Sequence, residues 1–102
     1  MTKLNNENFE KIISSGVTLV DFYANWCGPC RMVLPIIDSL DEEFAGKANI
    51  CKVDVDTNGD LATKYNIKGV PTVLIMKDGE IIDTLVGINS KATYTEKLNN
   101  LL

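Results

Sequence analysis

Hydrophobic positions along the chain follow two different spacings, one typical of strands and the other of helices. Residues 17–24 form a short β-branched and aromatic run, which predicts a buried strand. Residues 29–44 carry apolar side chains at helical spacing and predict a helix that follows this strand directly. Two further apolar segments, 49–55 and 71–76, predict a second and a third strand.

Residues that favour turns and helix caps separate these segments and mark the remaining elements. Asp78-Gly79 suits the positive φ angles of a two-residue hairpin turn, so the third strand should pair with the next one in antiparallel fashion. The other predicted elements are an edge strand at 1–5, an amphipathic helix at 6–15, a short helix beginning at 58–60, a strand at 81–86 and a final helix capped by Ser90. A βαβ crossover followed by a hairpin predicts the α/β class, with a central mixed β-sheet flanked by helices on both faces.

Length, composition and charge narrow the class of protein. The chain has 102 residues, which predicts a single domain spanning 1–102. Its net charge of −4, without a basic patch, argues against nucleic-acid binding. The absence of histidine excludes His-based triads, general bases and metal sites. No apolar run approaches the roughly 18 residues of a membrane span, and residues 1–7 carry no apolar signal segment, so we expect a cytoplasmic protein. The sequence gives no strong sign of an oligomer, so a monomer is expected.

The segment Trp26-Cys27-Gly28-Pro29-Cys30 places a C-x-x-C motif where the first predicted strand meets the helix. Because a helix N-terminus stabilises negative charge, the Cys27 thiol should ionise more easily there. Cys27 is therefore the candidate nucleophile that attacks a substrate disulfide, and Cys30 is the thiol that resolves the mixed disulfide. A zinc site is one alternative, but zinc takes about four ligands and the chain offers only Cys51 in addition. A pair of inert thiols is the other.

Asp21 and Lys52 are the charged residues that stand out in the predicted strands. Asp21 interrupts an apolar strand on the face it shares with Leu19 and Tyr23, where a carboxyl group should be buried. Burial raises the pKa of a carboxyl group, which would make Asp21 a proton acceptor near neutral pH and the candidate general base for Cys30. Lys52 would neighbour Asp21 if the first two strands pair. The alternatives are a solvated strand-end acid and a solvated surface lysine.

Four other features are candidates for the surroundings of the motif. Trp26 precedes Cys27 at a turn, which favours a position on the rim of the site over one in the core. The segment Gly69-Val70-Pro71-Thr72 opens a strand, and its Val70–Pro71 bond could be cis, although trans is the commoner form. Gly87 either allows close backbone approach or simply ends the strand. Cys51 is expected to be a small buried hydrophobe.

The segment from Val20 to Cys30 resembles the active-site signature of the thioredoxin family almost throughout. Other residues that follow in the order and spacing of that family are Pro35, Lys52, the Gly69–Thr72 segment, Asp78-Gly79 and Gly87. The resemblance covers nearly the whole chain and implies a thioredoxin-like fold. The chain departs from the family at Tyr23, where many relatives carry tryptophan, and at Ile88, where a smaller residue is common.

The resemblance implies a role for most of the residues singled out above. It implies that Val70–Pro71 is cis and faces the disulfide, and that Asp21 is the buried acid behind Cys30, with Lys52 beside it. It also implies a flat apolar docking surface made by Trp26, Gly28, Pro29, Val70, Pro71, Gly87 and Ile88. A bound chain would pair its backbone with Val70, so the flanking Gly69 and Thr72 are included among the substrate-binding residues.

These features predict a dithiol–disulfide oxidoreductase that reduces protein disulfides through Cys27 and Cys30. The resemblance implies that the pair is reduced again by thioredoxin reductase, an NADPH-dependent flavoprotein, so that NADPH is used indirectly and no cofactor or metal is bound. One alternative is an oxidase or isomerase on the same fold, which the Gly28-Pro29 dipeptide disfavours. The other is a binding module whose thiols are incidental.

Overall fold

The computed structural model describes residues 1–102, which form five strands and four helices. In chain order the elements are β1 (Thr2–Lys3), α1 (Phe9–Ile13), β2 (Val17–Tyr23), α2 (Gly28–Glu43), β3 (Asn49–Asp54), α3 (Gly59–Lys64), β4 (Thr72–Lys77), β5 (Glu80–Val86) and α4 (Lys91–Asn99). All five strands belong to one sheet with the order β1-β3-β2-β4-β5. The strand that leads into the C-x-x-C motif, β2, therefore lies at the centre of the sheet.

The sheet is mixed, as the sequence predicted. β3 runs parallel to both β1 and β2, whereas β4 runs antiparallel to β2 and to β5. The register places Asp21 beside Lys52 on β3 and beside Val73 on β4. The short edge strand expected in residues 1–5 is also present, as β1.

Successive side chains of a strand point to opposite faces of the sheet, and the helices cover both faces. Leu19 of β2 packs in a core with residues of α2 and α4, including Ile37 and Leu98. Phe22 of the same strand packs in a second core on the opposite face, with Phe9 of α1 and Leu61 of α3. The predicted α/β class, with helices on both faces of a mixed sheet, is confirmed.

The first helix is shorter than predicted. The pattern predicted a helix over 6–15, but α1 covers only Phe9–Ile13. Asn5 and Asn8 account for the late start, because their side chains accept hydrogen bonds from backbone N–H groups of this segment. The Asn8 Oδ1 atom accepts from the Asn5 N–H at 2.8 Å, and Asn5 Oδ1 accepts from Glu7 and Asn8 at 2.8 and 3.0 Å. Such local bonds favour a turn over a helix.

Two local signals are confirmed in detail. Asp78 and Gly79 have φ angles of 50° and 84° and form the two-residue turn between β4 and β5. Ser90 is the N-cap of α4, and its hydroxyl oxygen accepts a hydrogen bond from the Thr93 backbone N–H at 3.2 Å. No helix has the length and apolar character needed to cross a membrane.

Candidate redox site

The two cysteines lie at the N-terminus of α2, where the backbone presents free N–H groups. Cys27 is the N-cap residue, with φ −88° and ψ 113°, and its Sγ atom accepts a hydrogen bond from the Cys30 N–H at 3.2 Å. Cys27 and Cys30 are joined by a disulfide, with their Cα atoms 5.3 Å apart. A thiolate on Cys27 would face the same N–H groups and the positive end of the helix dipole, which favour the ionised form.

The surroundings of the two sulfur-bearing residues are unequal. Cys27 is 3% exposed and Cys30 is 0% exposed, so only Cys27 has any contact with solvent. Both pack against Tyr23 and Ala24 at the end of β2. Of the two cysteines, Cys27 is therefore the more accessible to a second molecule.

The segment before β4 lies against Cys27. The Val70–Pro71 peptide bond is cis, and the Val70 carbonyl oxygen lies 3.7 Å from the Cys27 Sγ atom. The Gly87 N–H donates to the Pro71 carbonyl at 2.9 Å, and Gly87 has a φ of 80°, a conformation that favours glycine. The Thr72 hydroxyl donates to the Gly69 carbonyl at 2.6 Å. Segments that are distant in sequence thus meet beside the disulfide.

Asp21 is buried in the sheet, and its charge is poorly compensated. It is 0% exposed, and neither carboxyl oxygen has a hydrogen-bond partner. Burial raises the pKa of Asp21 to about 7, while the positive charge of Lys52 opposes this rise. Lys52 is half-buried beside it on β3, with its Nζ atom 5.7 Å from the centre of the Tyr23 ring. Asp21 can therefore exchange a proton near neutral pH.

Trp26 lies on the rim of the site and is 69% exposed. Its indole Nε1–H donates to Asp56 Oδ2 at 3.0 Å, and the Asp56 N–H donates to Asp54 Oδ1 at 2.9 Å. Asp54 and Asp56 were not among the predicted site residues. The sequence did contain a signal for them, because acidic residues at the end of an apolar strand commonly form such side-chain turns.

A shallow apolar pocket of about 230 Å³ opens beside Trp26, and Val55, Ile67 and Val70 are among the residues that line it. The predicted docking surface is only partly exposed. Of its members, Trp26, Gly28, Pro29 and Ile88 are exposed and Val70 and Gly87 are half-buried, whereas Pro71 is buried. Thr72, which was expected to bind substrate, is also buried, at 4% exposure. Pro71 and Thr72 are therefore placed to support the surface from beneath.

Cys51 is separate from this site. It is 0% exposed on β3 and packs in the core on the α1 and α3 face. Burial raises the pKa of its thiol to about 12, and the Asp41 carboxylate adds to the rise. Such a thiol is a poor nucleophile at neutral pH. No group of three or more metal-ligating side chains is found in the structure.

Comparison with known proteins agrees with this geometry. The sequence model of the thioredoxin family matches residues 1–100. Thioredoxins from Staphylococcus saprophyticus and Bacillus subtilis are 43% and 42% identical to the chain over 102 residues. A thioredoxin from Staphylococcus aureus is 41% identical over the same length. Each of these alignments covers 100% of the chain and 98% of the relative.

The family match spans almost the whole length, and the structure supplies the cysteine pair that the family's chemistry requires. A disulfide at a helix N-terminus, with one of its two cysteines in limited contact with solvent, is suited to exchange with a second disulfide. The chain therefore belongs to the thioredoxin family and is a disulfide oxidoreductase whose redox-active pair is Cys27 and Cys30.

Proposed function

We propose that the protein is a reductant of protein disulfides in which Cys27 and Cys30 have different roles. The Cys27 thiolate attacks one sulfur of a substrate disulfide, which forms a mixed disulfide and releases the other substrate sulfur as a thiolate. The Cys30 thiolate then attacks Cys27, which forms the intramolecular disulfide and releases the second substrate thiolate. Two electrons pass to the substrate. The observation that carries this order is the N-cap position of Cys27, with Cys30 fully buried behind it.

Asp21 is the proposed proton acceptor for Cys30 during the second attack. Its supporting features are full burial, the absence of hydrogen-bond partners and a pKa near neutrality. A base of this kind is most useful when its pKa lies near the working pH. Lys52 is proposed to moderate the charge of Asp21, which the register of β2 and β3 and the opposing effect of Lys52 on the pKa support.

Substrate proteins are proposed to dock on the surface around Cys27. Trp26, Gly28, Pro29 and Ile88 would supply exposed contact area, and the pocket beside Trp26 would take an apolar side chain of the substrate. Val70 is proposed to pair its backbone with the bound chain.

The remaining residues of this surface would support that backbone from the side and from beneath. Pro71 would fix the direction of the chain after Val70, and the Gly87 N–H donates a hydrogen bond to the Pro71 carbonyl oxygen. The Gly69 carbonyl oxygen accepts a hydrogen bond from the Thr72 hydroxyl. This bond would help to hold the Gly69–Thr72 segment against Cys27.

Regeneration of the dithiol requires an external reductant, because the protein's own pair ends each cycle oxidised. We propose thioredoxin reductase, with NADPH as the indirect electron source, on the strength of the family match. We propose that the protein acts in the cytoplasm, because a reducing compartment keeps such a pair in its active dithiol form. We also propose that it acts as a monomer.

Single cysteine variants test this function. Reduced Cys30→Ser is expected to accumulate a mixed disulfide with a disulfide-bonded protein such as insulin, because Cys27 can attack but nothing resolves the product. Cys27→Ser is expected to form no adduct and to reduce no substrate. Cys51→Ser is the matched control and should turn over like the parent. Adducts are counted by mass spectrometry. Full turnover by Cys30→Ser, or an adduct on Cys30 in Cys27→Ser, would contradict the proposed roles.

A further inference from the structure

Tyr94 presents an unpaired hydroxyl group in the core that lies on the α2 and α4 face of the sheet. The residue is 0% exposed and packs with Val33 and Ile37 of α2 and with Leu19 and Val73 of the sheet. Its hydroxyl has no hydrogen-bond partner. A buried tyrosine hydroxyl normally finds a hydrogen-bond partner, because an unpaired polar group in the core destabilises the fold. The position of this oxygen therefore needs an explanation.

The unpaired Asp21 carboxyl group faces the same core. Asp21 follows Leu19 on the same face of β2, and it lies beside Val73 in the register of β2 and β4. Leu19 and Val73 are both in the core that contains Tyr94. The buried side-chain atoms without a hydrogen-bond partner are those of Asp21, Tyr94 and Thr18. Thr18 points to the opposite face of β2. Asp21 and Tyr94 are therefore the two groups without partners that face the same core.

The chemistry of the two groups is complementary. A carboxylate only accepts hydrogen bonds, whereas a phenol can donate one. Burial raises the pKa of the Tyr94 hydroxyl, and the Asp21 charge raises it further, so Tyr94 remains a neutral donor over the range in which Asp21 titrates. Asn89, in the loop before α4, lies close enough for its side chain and backbone to lower the pKa of the Tyr94 hydroxyl, although neither contact has the geometry of a full hydrogen bond.

We propose that Tyr94 is a positioning residue for Asp21, and that the Tyr94 hydroxyl donates to the Asp21 carboxylate through one buried water. Two buried polar groups that share a core and lack partners are the setting in which an internal water bridges. Donation to the carboxylate favours its charged form. Tyr94 thereby holds Asp21 ready to accept the Cys30 proton. This proposal rests on the role proposed above for Asp21.

The other groups around Asp21 are few. Lys52 faces it from β3, and its positive charge opposes the effect of burial on the pKa of Asp21. Val73 of β4 is uncharged, and α4 contributes Tyr94. Removal of the Tyr94 hydroxyl therefore leaves Lys52 as the only group opposing the effect of burial on Asp21.

Tyr94→Phe tests the proposal, because it removes one oxygen atom and keeps the packing of the ring. The pKa of Asp21 is measured by carboxyl 13C NMR titration of the oxidised protein, and the rate of mixed-disulfide resolution is measured against pH. We expect the pKa of Asp21 to rise by about one pH unit and the midpoint of the rate profile to rise with it. Tyr65→Phe is the matched control, since Tyr65 packs against the core on the opposite face, and should move neither.

A purely structural role for Tyr94 would lower the stability of the variant without moving the Asp21 titration, and that result would overturn the proposal. A second measurement needs no variant. In the parent protein, the 13Cζ resonance of Tyr94 should shift with pH at the midpoint of the Asp21 titration. A resonance that does not shift over this pH range would also overturn the proposal. The role of Asp21 is tested separately. If Asp21→Asn resolves mixed disulfides at the parental rate at every pH, Asp21 is not the base, whatever the coupling to Tyr94.

Discussion

Replacement of Asp21 by asparagine is expected to stabilise the oxidised protein at pH 8 far more than at pH 4. Asp21 is 0% exposed and its carboxyl oxygens accept no hydrogen bond, so ionisation places a charge in the core with little compensation. Burial raises the pKa of Asp21 to about 7, and the Lys52 charge offsets only part of the effect. Asparagine has a similar shape and cannot ionise.

The expected magnitude follows from the linkage between protonation and folding. Below the ordinary pKa of 3.8 Asp21 is protonated in both states, and it adds no pH dependence there. As the pH rises from 3.8 towards 7, the unfolded chain releases this proton first, so the free energy of unfolding falls across that window. Above pH 7 the loss is constant. The difference between the two pKa values corresponds to about 4 kcal/mol, at about 1.4 kcal/mol per pH unit.

The assay is guanidinium chloride unfolding of the oxidised parent and variant at pH 4 and pH 8, followed by far-UV circular dichroism. The buried amide of the variant adds a cost that does not depend on pH, so the quantity compared is the change in the stability difference between the two pH values. We expect about 3 to 4 kcal/mol. Asp38→Asn, on an exposed position of α2, is the control and should stay within about 0.5 kcal/mol. A stability difference for Asp21→Asn that is the same at both pH values would refute the reasoning.

Three further predictions concern other parts of the molecule. Ser90→Ala should lower the free energy of unfolding by about 1 kcal/mol in denaturant titration, because the Thr93 N–H loses its cap acceptor. The Cys51 thiol should resist iodoacetamide in the folded reduced protein and react only after denaturation, as seen by mass spectrometry; rapid labelling of the folded form would contradict its burial. Asp56→Ala should slow the reduction of protein disulfides by roughly twofold to tenfold, because a lost hydrogen bond of about 0.5–1.5 kcal/mol frees the Trp26 indole. An unchanged rate in stopped-flow assays would show that this bond does not matter for docking.

The elements around the motif could be predicted because their signals are local. A run of β-branched and aromatic residues defines β2, and the apolar spacing after it defines α2, so the sequence alone places Cys27 at a strand-to-helix junction. Asp78-Gly79 fixes the hairpin because few residue pairs accept two positive φ angles. The burial of Asp21 followed from its place within an apolar strand.

Other features of the site depend on contacts between distant segments, which no local pattern encodes. Gly87 meets Pro71 only because β5 pairs with β4. Thr72 is buried because β4 lies inside the sheet, between β2 and β5, so that it lies beneath the proposed docking surface and is not part of it. Tyr94 has the helical spacing of an ordinary core residue, and only the packing of α4 on the sheet reveals that its hydroxyl faces the same core as Asp21.

The central claim is that this disulfide oxidoreductase works as a reductant. The most direct test of this claim is the reduction potential of the Cys27–Cys30 pair. The purified protein is equilibrated with glutathione buffers of known potential, its thiols are trapped by alkylation, and the oxidised fraction is read by mass. We predict a value of about −270 mV, which is the reference value for thioredoxins. A value towards about −120 mV would indicate an oxidant or isomerase. That value, or the absence of any reversible couple, would contradict the account.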